Sequence, residues 1–187
     1  MKSNYFIYLF LALMVSCVNP IPRKPVVSKT HTFFKESVTL NKMMNASEEE
    51  AFKAFIEKDS LTDYQISPNG FWYTFNKKNA DAYLPKIGDK LFYTYEVFDI
   101  NNSVIYTAEE IGEQTYVVDK QEIVEGLRNG LKLMGAGDET TFLFPSHKVY
   151  GYAGDQNKIG INQPLIYRVQ LIKINKNNKN NKNNESN

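Results

Sequence analysis

Tyr150 closes a Pro145-Ser-His-Lys-Val-Tyr-Gly151 turn, and a loop tyrosine beside glycine is placed for contact more than for packing. Tyr95 and Tyr167 lie on alternating runs, where aromatic side chains are core by default. The same default applies to Ile123, Val124 and Leu127, which share one helical stripe. His31 and His147 stand far apart with no cysteine or histidine at metal-ligand spacing, so no metal and no cofactor is expected. Glu109, Glu110, Glu113, Glu122 and Glu125 are read as solvated turn and helix surfaces, not as paired catalytic carboxylates. No Ser-His-Asp arrangement, nucleotide loop or phosphate cradle is present.

Cys17 is the single cysteine, which rules out an intrachain disulfide and a thiolate metal cluster. Its setting points to lipid chemistry. Lys2 and the apolar run from Tyr5 to Val15 form a signal peptide over residues 1–16, too short for a comfortable membrane span of about 20 residues. Met-Val-Ser-Cys17 is similar to a bacterial lipobox, with Met14 where Leu is usual, so Cys17 is the expected lipidation site and membrane anchor. Residues 17–32, with Pro20, Pro22 and Pro25, then read as an extended tether. At the other end, residues 175–187 are an Asn/Lys tail that cannot bury a core and is expected to be disordered.

The 22 Lys and Arg nearly balance 21 Asp and Glu, which leaves no basic footprint for nucleic acid. Forty-two per cent of the chain is hydrophobic, enough for one ordinary domain with extras. Residues 33–86 are expected to form an N-terminal helix and strand extension. Ser47 is the predicted N-cap of a short helix, with Glu50 completing a capping box before Ala51, Phe52, Phe55 and Ile56. Pro68-Asn-Gly70 predicts a turn and Phe71 to Phe75 a strand.

From Ile87 the period is two, with Leu91, Tyr93, Tyr95 and Val97 alternating against Phe92, Thr94, Glu96 and Phe98. Asp99 to Asn102 is a turn, and Val104 to Thr107 and Thr115 to Val118 add two strands. Between Gln121 and Met134 the period becomes helical, with Gly126 and Gly130 marking close packing or backbone exposure and Gly135 and Gly137 the stop. Thr140 to Phe144 is a strand, residues 146–163 a glycine-rich loop, and Leu165 to Leu171 the last strand. The fold class is α+β.

In this order and spacing, residues 87–174 resemble an FKBP-type peptidyl-prolyl cis-trans isomerase domain. The lipobox, the Pro-rich tether, Gly70-Phe-Trp-Tyr73 and Lys158-Ile-Gly-Ile-Asn-Gln-Pro-Leu-Ile-Tyr167 are similar to the gliding-motility-associated lipoprotein isomerases of Bacteroidota. The resemblance implies an antiparallel twisted sheet wrapped on one amphipathic helix. It also implies an apolar substrate pocket lined by Tyr95, Ile105, Tyr106, Ile123, Val124, Leu127, Tyr150, Ile159 and Tyr167, with Tyr95, Val124 and Tyr150 as the catalytic set. Tyr167 stands where the family usually has Phe, and Leu127 where its best-known members place Trp. Ile105 and Tyr106 replace a usual Phe-Asp pair, removing the carboxylate at that position.

The implied chemistry breaks no bond, because the barrier of about 18–20 kcal/mol comes from lost amide resonance on twisting. The Val124 N–H and the Tyr150 hydroxyl are implied to hold substrate carbonyls while the proline ring sits over Leu127. Uncatalysed X–Pro exchange takes about 10–100 s, slow enough to delay folding of exported, proline-containing polypeptides, the expected partners. With no acidic run after Cys17, the expected location is the cell envelope, lipid-anchored and periplasm-facing. The alternative, favoured by Ile105, Tyr106 and Leu127, is a catalytically silent domain that binds protein partners.

Overall fold

The computed structural model describes residues 30–59 and 62–177, with side chains from residue 34 onward. Cys17, the expected signal peptide, the part of the expected tether before Thr30 and the part of the expected tail after Asn177 lie outside the described residues. Residues up to Val38 group apart from the unit that begins at Thr39.

The first helix, α1, spans Thr30–Lys58, so Ser47 lies in its interior and is no N-cap. The reason is local: Phe33 to Ala46 contains neither Gly nor Pro, and nothing in that stretch stops a helix. The expected tether therefore ends before Thr30. Among the described residues no helix is long and apolar enough to cross a membrane.

Seven strands follow: β1 Gln65–Ser67, β2 Phe71–Lys77, β3 Lys90–Phe98, β4 Val104–Tyr106, β5 Gln114–Val117, β6 Glu139–Phe144 and β7 Leu165–Asn175. All pair antiparallel in the order β1-β2-β6-β7-β3-β4, while β5 also pairs with β3. Both β4 and β5 use the same edge of β3, joined by a one-turn helix, α2 (Ala108–Ile111), whose N-cap Thr107 accepts the Glu110 N–H at 3.2 Å. The α+β architecture expected from the alternating runs is the one observed.

The sheet has a core on each face, which is why β6 is buried along nearly its whole length. On one face Tyr93, Val97, Phe142, Phe144, Tyr167 and Val169 meet Leu127, Leu131 and Met134. On the other, Phe98, Leu143 and Ile166 lie under Phe52 of α1, with Trp72 ringed against Phe52 at 5.4 Å.

The second long helical run is shorter than its period suggests. The helix proper, α3, spans Glu125–Leu131, not Gln121–Met134. Upstream, the Gln121 side chain accepts the Val117 N–H at 2.8 Å and Val124 is extended (φ −55°, ψ 137°). Downstream, tighter three-residue bonds from Leu133 to Gly130 and Met134 to Leu131 carry Met134 onto the same stripe. Gly126 and Gly130 serve the close packing inferred for them: a Cβ would come within 2.7 Å of the Phe144 ring and 2.9 Å of the Phe142 ring, respectively.

Two buried carboxylates tie the ends of the sheet. Asp89 accepts the Tyr83 hydroxyl at 2.8 Å and the N–H groups of Lys86 and Asn177 at 2.9 and 2.7 Å, so chain beyond the expected boundary at 174 still packs on the domain. Asp138 accepts from Asn79 N, Gly135 N and Lys78 Nζ at 2.6, 2.8 and 2.9 Å. Burial pushes both carboxyls up, but these bonds, with Lys176 and Lys78 nearby, outweigh it and leave both below the ordinary value. A group depressed in the folded state contributes stability that is whole above its unfolded pKa, about 3.9, and is lost as pH falls through the folded value. The urea midpoint is therefore expected to be flat from about pH 7 to 5 and to drop below about pH 4, with part of the drop missing in Asp138→Asn. A midpoint unchanged down to pH 3 would contradict this role.

Candidate active site

The nine pocket residues come from five separate segments, and the fold brings all of them into one apolar cluster. Leu127 of α3, Ile159 of the loop and Tyr167 of β7 are buried, while Tyr95, Ile105, Tyr106, Ile123, Val124 and Tyr150 are partly exposed above them. Three of the nine are thus buried members of the cluster and six its partly exposed ones.

Tyr95 stacks on Tyr167 with ring centroids 5.3 Å apart at 12°, and Tyr93 continues the stack at 5.9 Å. Register explains the alignment: Val97 opposes Tyr167 and Tyr95 opposes Val169, so Tyr95 and Tyr167 are diagonal neighbours on one sheet face. Burial, then the neighbouring hydroxyls of Tyr150 and Tyr106, push the Tyr95 phenol up to about 12. It stays a neutral hydrogen-bonding group at any physiological pH.

Tyr150 is carried by a short 3-10 turn, Ser146–Lys148, that leaves β6, and the Asn162 N–H closes on the Gly151 carbonyl at 2.7 Å just beyond it. Gly151 has φ 53°, the left-handed turn that glycine allows next to the tyrosine. Lys148 bonds Glu125 at 2.7 Å, fixing this turn to the start of α3 and drawing the Glu125 carboxyl below its ordinary value. Val124 is the N-cap of that helix, and its N–H makes none of the backbone bonds found among the described residues. Tyr150 and Val124 are both partly exposed and packed against the same apolar cluster.

Ile105 and Tyr106 sit on β4 at the far edge of the cluster. The carboxylate missing at Tyr106 is brought there by the loop: the Tyr106 hydroxyl donates to Asp155 Oδ2 at 2.5 Å and accepts from Asn157 Nδ2 at 3.0 Å. Asp155 Oδ1 also accepts the N–H groups of Asn157 and Ile159, both at 2.8 Å. Burial raises the Asp155 carboxyl, these bonds outweigh it, and its pKa lies below the ordinary value. Asp155 is thus a site residue that sequence reasoning missed; its only local signal is an Asp-x-Asn turn in a loop without a hydrophobic period. A second missed residue, Glu48 of α1, accepts Ser146 N at 2.8 Å and Ser146 Oγ at 2.5 Å, under the turn that leads to Tyr150.

A separate groove of about 700 Å³, lined by Phe55, Lys58, Tyr64 and Arg168 among others, shares no residue with this cluster.

Residues 82–172 match the family model of FKBP-type peptidyl-prolyl cis-trans isomerases. The probable FKBP-type peptidyl-prolyl cis-trans isomerase FkpA of Neisseria meningitidis is 26% identical over 140 residues, 74% of this chain and 51% of that protein. Peptidyl-prolyl cis-trans isomerase FKBP9 of Homo sapiens is 28% identical over 117 residues, 61% of this chain and 20% of that protein. This chain spans about half the length of the first of these relatives and a fifth of the second. The crystal structure of FkpA from Escherichia coli aligns with a TM-score of 0.57 at 19% identity, covering 94% of this chain and 83% of that one, a likeness of fold.

Proposed function

We propose that this chain, whose residues 82–172 form an FKBP-type peptidyl-prolyl cis-trans isomerase domain, catalyses X–Pro exchange in exported polypeptides. The observation that carries the reading is the convergence of the nine residues in one apolar cluster, within the span matched by the family. The pocket acts as a mould. Its apolar floor of Leu127, Ile159 and Tyr167 desolvates the imide, whose charge separation is greatest when planar, and so favours the twisted form. The Tyr150 hydroxyl and the Val124 N–H hold the flanking carbonyls, and no cofactor takes part.

The wider setting belongs to the same proposal and rests on the sequence alone: export by residues 1–16, a lipid anchor at Cys17, a periplasm-facing position in the cell envelope and a service to gliding motility. The purified protein is expected to accelerate exchange of a short X–Pro peptide, and Val124→Ala with Tyr150→Ala to remove most of that acceleration. No rate above background, with the peptide still bound, would replace this reading by that of a silent partner-binding domain.

A further inference from the structure

The near balance of total charge hides its distribution. Between residues 62 and 177, Lys77, Lys78, Lys132, Lys148 and Lys158 are each held in an ion pair. The remaining lysines of that span, Lys86, Lys90, Lys120, Lys173 and Lys176, are exposed and make no ion pair among the described residues. They gather at one corner of the sheet. There the start of β3 lies between β5 and β7, with Lys90 opposite Val117 on one side and Asn175 on the other. Asp89 holds the Lys86 and Asn177 N–H groups at 2.9 and 2.7 Å, and its carbonyl accepts the Val118 N–H at 2.9 Å, two residues before Lys120. Two rings carry four of the lysines: Lys90 and Lys173 lie 5.2 and 6.0 Å from the Phe92 centroid, and Lys86 and Lys176 lie 5.7 and 4.1 Å from that of Tyr83. Of the nearby carboxylates, Asp89 is buried under three donors, Asp119 is taken by Lys132, and Asp81 is exposed. The corner therefore carries a positive excess. Among its lysines three aliphatic side chains also face solvent, Leu84 at 48%, Ile87 at 58% and Ile172 at 43%.

We propose that this corner docks on a membrane surface of anionic phospholipid, the lysines meeting headgroup phosphates and Leu84, Ile87 and Ile172 the acyl boundary. The aliphatic side chains choose between anions. An acidic polypeptide or a nucleic acid engages the lysines but offers no apolar depth, whereas a bilayer interface supplies both. Long lysine side chains suit that boundary, since their stems lie along apolar material while the charge stays at the headgroups. In sequence the chain continues past Lys176 with Lys179 and Lys182, which lengthens the basic run. A lipid anchor such as the one proposed at Cys17 holds firmly only with a second signal, and a basic patch is one. The inference itself requires neither that anchor nor the isomerase reading.

The test uses the full chain carrying Cys17→Ser, so that no acyl chain contributes, in co-sedimentation with vesicles of phosphatidylcholine alone or with about a third phosphatidylglycerol. The apolar run of residues 5–15 is common to every variant and reads out on the neutral vesicles. Partition onto the anionic vesicles is expected to be at least about tenfold stronger than onto the neutral ones, and to fall toward the neutral level as salt rises from about 50 to 500 mM. Replacing Lys86, Lys90, Lys173 and Lys176 by Gln is expected to remove most of that difference, and replacing them by Arg to keep it. A control in which Lys42, Lys53, Lys58 and Lys77 become Gln loses the same total charge and is expected to lose about twofold at most. Ile87→Ser with Ile172→Ser is expected to weaken anionic binding about threefold or more. Equal partition onto both vesicles, insensitivity to salt, or an equal loss in the control would each overturn the inference. So would an Ile87→Ser, Ile172→Ser protein that binds like its parent. Tighter binding to poly-glutamate or single-stranded DNA than to anionic vesicles at equal anion concentration would assign the corner to a soluble polyanion instead. The salt series needs no substitution, so the outcome stands even where the Gln variant fails to fold.

Discussion

Glu48→Ala is expected to lower the unfolding free energy by about 2–4 kcal/mol and to reduce X–Pro exchange even under conditions where the variant is fully folded. Glu48 is only 7% exposed and its carboxylate holds both the N–H and the hydroxyl of Ser146, itself 3% exposed, across 98 residues of sequence. Removing it strands two buried donors, and a stranded buried group costs its full desolvation penalty. The effect on turnover follows from position. Ser146 opens the 3-10 turn that aims Tyr150, and Lys148 in the same turn is bonded to Glu125 at the start of α3. With the Glu48 contact gone, the Lys148–Glu125 bond and the Asn162–Gly151 closure remain to hold Tyr150. Glu48→Gln, which keeps an acceptor oxygen, is expected to recover most of both losses. Adding Ser146→Ala to Glu48→Ala should cost less than Ser146→Ala alone, since the hydroxyl has already lost its partner. Denaturant titrations and exchange rates on the same samples decide the matter, and a Glu48→Ala protein as stable and active as wild type would refute it.

That contact also marks where sequence reading stops. Alternation placed β2, β3, β6 and β7 because a strand between two packed faces writes its period directly into residue type, as Leu165, Tyr167, Val169 and Leu171 do against Arg168 and Gln170. Helix ends were less legible. Ser47 looked like an N-cap because a capping signal states only that a helix can begin there; whether one has already begun depends on the preceding residues. At α3 the apolar stripe continued through residues that are no longer helical, since tightened turns and an extended entry can keep side chains on one face.

The site was legible in a different manner. Periodicity alone assigns Tyr95, Val124, Leu127 and Tyr167 to the core, and only spacing shared with a family marks them as a wall; the fold gathers all four in one apolar cluster. Asp155 and Glu48 left no comparable trace. Each is a polar residue whose partner, Tyr106 or Ser146, is fixed by tertiary closure, and a long-range hydrogen bond imposes no period on the chain between.

The Val124 N–H can be separated from everything else at that position by Val124→Pro. The residue has φ −55°, close to the value of about −65° that proline imposes, and it sits at the helix N-terminus, where a missing donor breaks no helical bond. Its carbonyl, which accepts the Arg128 N–H at 3.0 Å, is retained, and Ile123 before it lies outside the helix, as a residue preceding proline prefers. The pyrrolidine ring keeps an apolar surface on the rim. The substitution therefore deletes one hydrogen-bond donor and little more. Stability is expected to stay within about 1 kcal/mol of wild type, because the restricted unfolded chain offsets small losses in packing. Exchange activity is expected to fall about tenfold or more in kcat/KM, the loss of a donor to a substrate carbonyl in a water-poor site. Val124→Ala, which trims the side chain and leaves the N–H, should lose less. If Val124→Pro folds and turns over like wild type, the substrate carbonyl is held elsewhere, and the rim would bind by Tyr150 and by shape alone.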